Sequence, residues 1–366
     1  MIGPADEYPV HQAPLPIALP ATTDRNFYDR CYVNAHDSSG DIFVVMGLGH
    51  YPVLGVSDAF VLIHRGDDQT AVHLSGALIP DRLDQSVGAF RLDVVEPLRS
   101  VRLRLAETEG IALDATFTGS FDVVEEQRHI LRAGSRTTLD AQRFAQVGTW
   151  TGALEIDGER IEFDPTSWVG TRDRSWGIRP IGEAEPAGRP ADPPFEGMWW
   201  MYLPLAFDDF GLVMVIQEEP DGTRTLDDAV RIWADGRREQ LRSPEIAVTY
   251  GATARVPESA TVTTRSATGE DIHIEVTSLL ATALHVGGGY GGDPDWNHGQ
   301  WRGEGFTERV RYDVADPAVA GRIPFGVSDH VPSATWTEAG VTRRGVGMFE
   351  HACLGRHDPS GFSGWF

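Results

Sequence analysis

The residues best suited to chemistry lie in one run, Gly170-Thr171-Arg172-Asp173-Arg174-Ser175-Trp176-Gly177-Ile178-Arg179. Arginine and aspartate are rarely buried unless paired, and tryptophan adds a large apolar face with one N–H donor. In a functional reading Asp173, held by neighbouring arginines, helps orient a proton donor, with Asp329 or His298 as the acid or base. Arg172 and Arg174 then bind the ligand beside Trp176, whose ring face can stabilise developing positive charge. The structural alternative is an ion-pair knot that braces two domains, since such networks also perturb ionisation without doing chemistry.

Four other places could contribute. Trp199-Trp200-Met201-Tyr202 reads as a strand on which Trp200 and Tyr202 share one face and Trp199 and Met201 the other. One pair can line a pocket for an apolar, unsaturated molecule, with Tyr202 as a donor, or the strand can be plain core. His298 and His330 are candidate bases or ligand contacts and Asp329 a candidate acid, although a lone strand histidine is commonly structural. Trp301 is a further ligand-binding candidate. No His-x-His or His-Glu-x-x-His spacing is present, so no metal is expected. Gly47-Leu48-Gly49 lacks the third glycine and following helix of a dinucleotide site, and no phosphate-binding loop or nucleophile elbow occurs. No cofactor is expected.

The elements that must position these residues are short strands. Alternating runs at 28–34, 42–46, 59–65, 70–75, 90–95, 101–106 and 111–119 are separated by glycine- and proline-rich turns, and similar runs resume from residue 197. This pattern predicts an all-β sandwich or barrel. Asp157-Gly158 between two such runs predicts a tight hairpin. Residues 137–145 read as one short helix, and the glycine-rich 285–303 as a hinged loop over a barrel mouth. Residues 1–23 form an extended arm, 24–181 a first domain, 182–194 a linker rich in proline and glycine, and 195–366 a second domain. A closed sheet of about eight strands can hold one small apolar ligand inside.

The chain has 366 residues, 41% of them hydrophobic, with a formal net charge of -23. That charge disfavours nucleic acid and anionic lipid surfaces as partners. No apolar run is long enough for a membrane-spanning helix, and the N-terminus lacks the pattern of a signal peptide. A cytoplasmic location is therefore expected. Cys31 and Cys353 do not make a disulfide framework and read as free buried thiols. A homodimer is compatible with the sequence.

The central run resembles the signature of the AttH-like and carotenoid 1,2-hydratase-like proteins, whose fold several fungal Diels–Alderases share. Gly49-His50-Tyr51-Pro52 through Gly55 and Asp58, His298-Gly299-Gln300-Trp301-Arg302-Gly303-Glu304, Asp329-His330, and Gly345-x-Gly347-x-x-Glu350 resemble further segments of that family. The resemblance implies two lipocalin-like (calycin) barrels packed together. It also implies a cofactor-independent enzyme on a hydrophobic isoprenoid or polyketide-like molecule, acting by hydration or dehydration, isomerisation or cyclisation. Asp173, Tyr202, His298 and Asp329 are then the catalytic candidates. The family usually has histidine where this chain has Arg174, and arginine cannot shuttle a proton near neutral pH. The strand with Tyr202 also lacks the carboxylate that the hydratases carry. A carrier of a hydrophobic ligand is the competing expectation, and a structural protein with a closed interior a third.

Overall fold

The computed structural model describes residues 1–184, 194–253, 255–291 and 294–365. Most of the expected linker, residues 185–193, lies outside them. Among the described residues the strands form two sheets, one of 14 strands and one of 11. The all-β expectation holds: the strands pair antiparallel and build a curled sheet and a closed barrel.

At the centre of the first sheet the Phe27–His36 strand lies between Phe43–Tyr51 and Val169–Ile178. Val169–Ile178 also pairs with Arg136–Ile156. In the second sheet Gly197–Ala206 lies between Phe210–Glu218 and Phe349–His357. One strand crosses over: Phe306–Asp313 belongs to the second half of the sequence, yet pairs with Asp68–Ala77 at the edge of the first sheet.

Period-two alternation sends alternate residues of each central strand to opposite faces. The result is three large apolar clusters and a small fourth one around Tyr28 and Tyr51. One fills the first sheet and includes Phe90, Phe117 and Trp150. One fills the second and includes Phe210, Trp336 and Phe349. The third joins the sheets and includes Tyr32, Phe60, Trp200 and Tyr202. A ligand inside a closed sheet was expected, but both interiors are packed with large rings, and the aromatic cavity lies between the sheets instead.

Two local expectations change. Residues 137–145 are not helical; they belong to the 21-residue strand Arg136–Ile156. Partners on both sides, including His129–Ala133 and Val169–Ile178, complete its backbone hydrogen bonds, and that pairing overrides local propensity. The described part of the 285–303 segment is largely irregular, as expected of a loop, but it is packed down: Val286, Trp296 and His298 are buried, and the Trp296 ring stacks on His73 with centroids 4.4 Å apart. The hairpin at Asp157-Gly158 is present, with φ of 51° and 88°, the left-handed pair such turns require. Cys31 and Cys353 are both free and buried.

Gly170 sets how closely the central strands approach. A Cβ there would collide with the Asn34 carbonyl oxygen and lie 2.7 Å from Trp150 Nε1, whose N–H donates to that same carbonyl. Gly170→Ala is expected to destabilise the protein by about 1–3 kcal/mol, the usual range for overpacking a dense interior. Urea denaturation measures this, and an unchanged midpoint would show that the strands can part there.

Candidate functional site

The cavity between the sheets has a volume of about 240 Å³. From the first sheet Asp173 and Ser175 reach it off one face of Val169–Ile178, and Arg30 and Tyr32 off Phe27–His36. Arg143 comes from Arg136–Ile156. The second sheet supplies Met198 and Trp200, Leu226, and Glu350, and Tyr290 closes one side.

Each acid in or behind the wall has its own environment. Glu126 is paired: its Oε2 lies 2.5 Å from Arg143 Nη2. Burial works against the Arg143 charge, but Glu126, Tyr202 and Asp173 outweigh it and raise its pKa. The guanidinium also lies over the rings of Tyr202 and Trp200, at 4.9 and 5.3 Å.

Glu350 accepts the indole N–H of Trp200 at 2.5 Å. Its cross-strand neighbour is Asp329, whose Oδ2 accepts the Tyr32 hydroxyl at 2.5 Å. Asp329 Oδ1 has no hydrogen-bond partner, and the Glu350 carboxyl is close enough to act on it. Such a pair needs a proton, because two adjoining buried carboxylates cannot both ionise. Burial and their mutual repulsion push Asp329 well above the carboxylate range, and burial raises Glu350. Tyr32, Asp329, Glu350 and Trp200 thus form a polar chain behind the cavity.

Asp173 differs from both. Among the described residues no donor hydrogen-bonds to it, and its carboxyl faces the cavity. Burial pushes it up to about 7, with Glu126 and Glu350 adding to the rise and Arg143 and Arg179 opposing it. A carboxyl that gains and loses a proton near neutrality, next to a largely apolar hollow, is suited to general acid–base work.

The structure brings some of the expected site residues together and separates others. Asp173 and Trp200 line the cavity. Tyr202 adjoins it through Arg143, and Asp329 through Tyr32 and Glu350. His298 lies behind Tyr290, with Nε2 at 2.6 Å from Arg30 Nη2 and 2.7 Å from the Gly288 carbonyl. Burial and Arg30 hold it well below the usual histidine range, so it is neutral. His330 is held by Ser278 and Ser328 against Phe349, a structural setting. Arg172, Arg174 and Trp176 project from the opposite face of the Asp173 strand. Arg172 donates to Gln146 at 2.8 Å; Arg174 is 2.9 Å from Asp29; Trp176 is 39% exposed. Trp301 is also exposed, at 54%. Glu126, Arg143, Tyr32 and Tyr290 were not legible as site residues, because each sits on a segment with no chemical motif of its own.

Because Arg174 points away from the cavity, Arg174→Gln is expected to leave ligand affinity unchanged. It should cost about 1 kcal/mol or less, as for a partly exposed ion pair. A tenfold loss of affinity would place Arg174 in the site.

In class this is an all-β protein of the AttH-like lipocalin fold. The protein assigned as AttH from Nitrosomonas europaea superposes with a TM-score of 0.52 at 15% identity, covering 94% of this chain and 98% of that one. CghA superposes with a TM-score of 0.52 at 12% identity, covering 90% and 89%, and a second CghA structure holds Sch210972. At these identities the likeness is one of fold. No curated protein matches the sequence. The chain belongs to DUF8625, a family of unknown function, whose pattern matches residues 2–363.

Proposed function

We propose that this chain is a cofactor-independent enzyme that moves a proton at carbon on a hydrophobic small molecule held between the two sheets. The observation that carries this reading is the unpartnered Asp173 carboxyl on the wall of an aromatic cavity. Ionised, Asp173 takes a proton from a carbon beside an unsaturated group; protonated, it returns that proton to another carbon. The result is an isomerisation, or a dehydration if a hydroxyl leaves with the proton; hydration is the reverse. Cyclisation is compatible with the same pocket if the bound chain is folded on itself. The guanidiniums of Arg30 and Arg179 reach the same cavity, and they disfavour a carbocation route. The Asp329–Glu350 pair stores a proton behind the wall, and Tyr32 joins it to the cavity. The volume of about 240 Å³ is below the ~300–1,000 Å³ typical of ligand pockets, which favours a compact substrate over a carotenoid. The fold shared with AttH and CghA supports a site for a hydrophobic ligand.

The test begins with ligand extracted from purified protein and identified by mass spectrometry. Incubated with that ligand in deuterated water, the wild type is expected to place deuterium on carbon and Asp173→Asn to place none. Equal labelling by both would remove Asp173 from the chemistry. Binding without labelling by either would mark a carrier.

A further inference from the structure

Two arginines on the cavity wall, Arg30 and the half-buried Arg179, have no carboxylate within ion-pair distance among the described residues, although Asp58 and Asp173 act on them from further away. Arg30 is 2% exposed. Its Nη2 meets His298 Nε2, and its Nη1 meets the Tyr51 hydroxyl at 3.5 Å. Its Nε has no partner. Its guanidinium lies 4.7 Å from the centre of the Tyr290 ring and 5.6 Å from that of Phe60. Arg179 lies over Tyr28 at 4.6 Å and Tyr290 at 5.8 Å. Among the described residues neither guanidinium forms an ion pair with a carboxylate. Asp58 is one tyrosine away from Arg30 and accepts from Tyr51 and the Gly299 N–H; Asp173 shares the cavity with both arginines but hydrogen-bonds to neither.

Ring contacts hold a guanidinium in place but do not neutralise it. Burying an ion is costly unless a counter-charge meets it. Arg143 on the same wall shows the balanced arrangement, with Glu126 as its partner. Arg172 also lacks a carboxylate, but it lies on the other strand face, bonded to Gln146. On the wall opposite Arg30 and Arg179 the second sheet offers Met198, Trp200, Leu226 and Ala352, with Gln217 and Glu350 beside them. The cavity thus sets two cations without an ion-pair partner against a mostly apolar surface, whose Glu350 is engaged by the Trp200 indole.

We propose that Arg30 and Arg179 together receive a carboxylate, so that the substrate is an amphipathic carboxylic acid whose apolar part lies along Trp200, Leu226 and Met198. This rests on the cavity being the substrate site, but not on Asp173 being the proton carrier. Charge-assisted, bidentate contacts of this kind are the strong ones.

Isothermal titration with octanoate, methyl octanoate and 1-octanol at fixed salt tests it. Octanoate is expected to bind about tenfold or more tightly than either neutral analogue, the effect of a charge-assisted pair. Arg179→Gln is expected to abolish that preference and leave methyl octanoate affinity unchanged. Arg30→Met should do the same; because Arg30 is buried, its melting curve must first match the wild type. Equal affinities for the acid and the alcohol, no octanoate binding, or a preference that survives Arg179→Gln would each overturn the proposal. Asp173→Asn should retain the octanoate preference even where it abolishes deuterium labelling, so the two readings fail separately.

Discussion

Asp173→Asn is expected to lower turnover by about 10²–10⁴-fold, the usual contribution of a positioned acid or base, and at the same time to stabilise the fold at pH 8. Asp173 titrates at about 7 in the folded protein, mainly through burial, against an ordinary 3.8 in the unfolded chain. Folding therefore favours its protonated form. The native state is unpenalised below the unfolded value and loses stability as pH rises from there through 7. At pH 8 the carboxylate costs on the order of 2–4 kcal/mol, reduced by whatever water the cavity admits. Asparagine is neutral at every pH and removes that cost. The variant should melt higher than wild type at pH 8, and the gap should narrow as pH falls toward 6. A variant less stable than wild type at pH 8 would mean that Asp173 is a paired structural carboxylate.

The second large effect is loss of stability in mild acid. Burial lowers His36 and His129 to about 4 and His50, His330 and His351 to about 3; Arg82 and Arg174 add to it at His50, Arg143 at His129 and His330 at His351. All five are neutral in the fold, whereas in the unfolded chain they take up protons near 6.5. Their depressed values leave stability intact above 6.5 and remove it as pH falls from there toward 4. Asp173, and Asp58 at about 6, act in the opposite sense, since burial raises both and acid relieves them. Set against one another, these groups give a net loss on the order of 5 kcal/mol between pH 7 and pH 5, comparable to the whole stability of many domains. Urea midpoints are expected to level off near pH 8 and to collapse by pH 5. A midpoint that holds or rises down to pH 5 would show that the histidines are charged in the fold.

Much of this fold was legible because its signals are local. Alternation and turn residues give the strands, and Asp157-Gly158 fixes its hairpin through two left-handed residues. The strand period correctly separates Trp200 and Tyr202, which face the partner sheet, from Trp199 and Met201, which enter the second core. The same period could have separated Asp173 from Arg172, Arg174 and Trp176. Treating the run as one cluster concealed that only its odd positions face the cavity. What could not be read was long-range. Strand pairing on both sides makes 137–145 extended, and the crossing of 306–313 into the first sheet has no local mark. Glu126, Arg143 and Tyr290 join Asp173 only once three separate segments have folded. The resemblance pointed to a catalytic histidine replaced by Arg174, but in this fold that position faces away from the cavity, so the exchange does not bear on the site.

Isotope-edited infrared difference spectroscopy of wild type against Asp173→Asn across pH 5.5–9, where the fold is expected to persist, needs no ligand and reports the Asp173 carboxyl directly. The protonated carboxyl band present in the wild type and missing from the variant is expected to disappear with a midpoint near 7. A band already missing at pH 5.5 would mean a solvated or paired carboxylate at residue 173, and the cavity would then hold no proton carrier of the kind proposed.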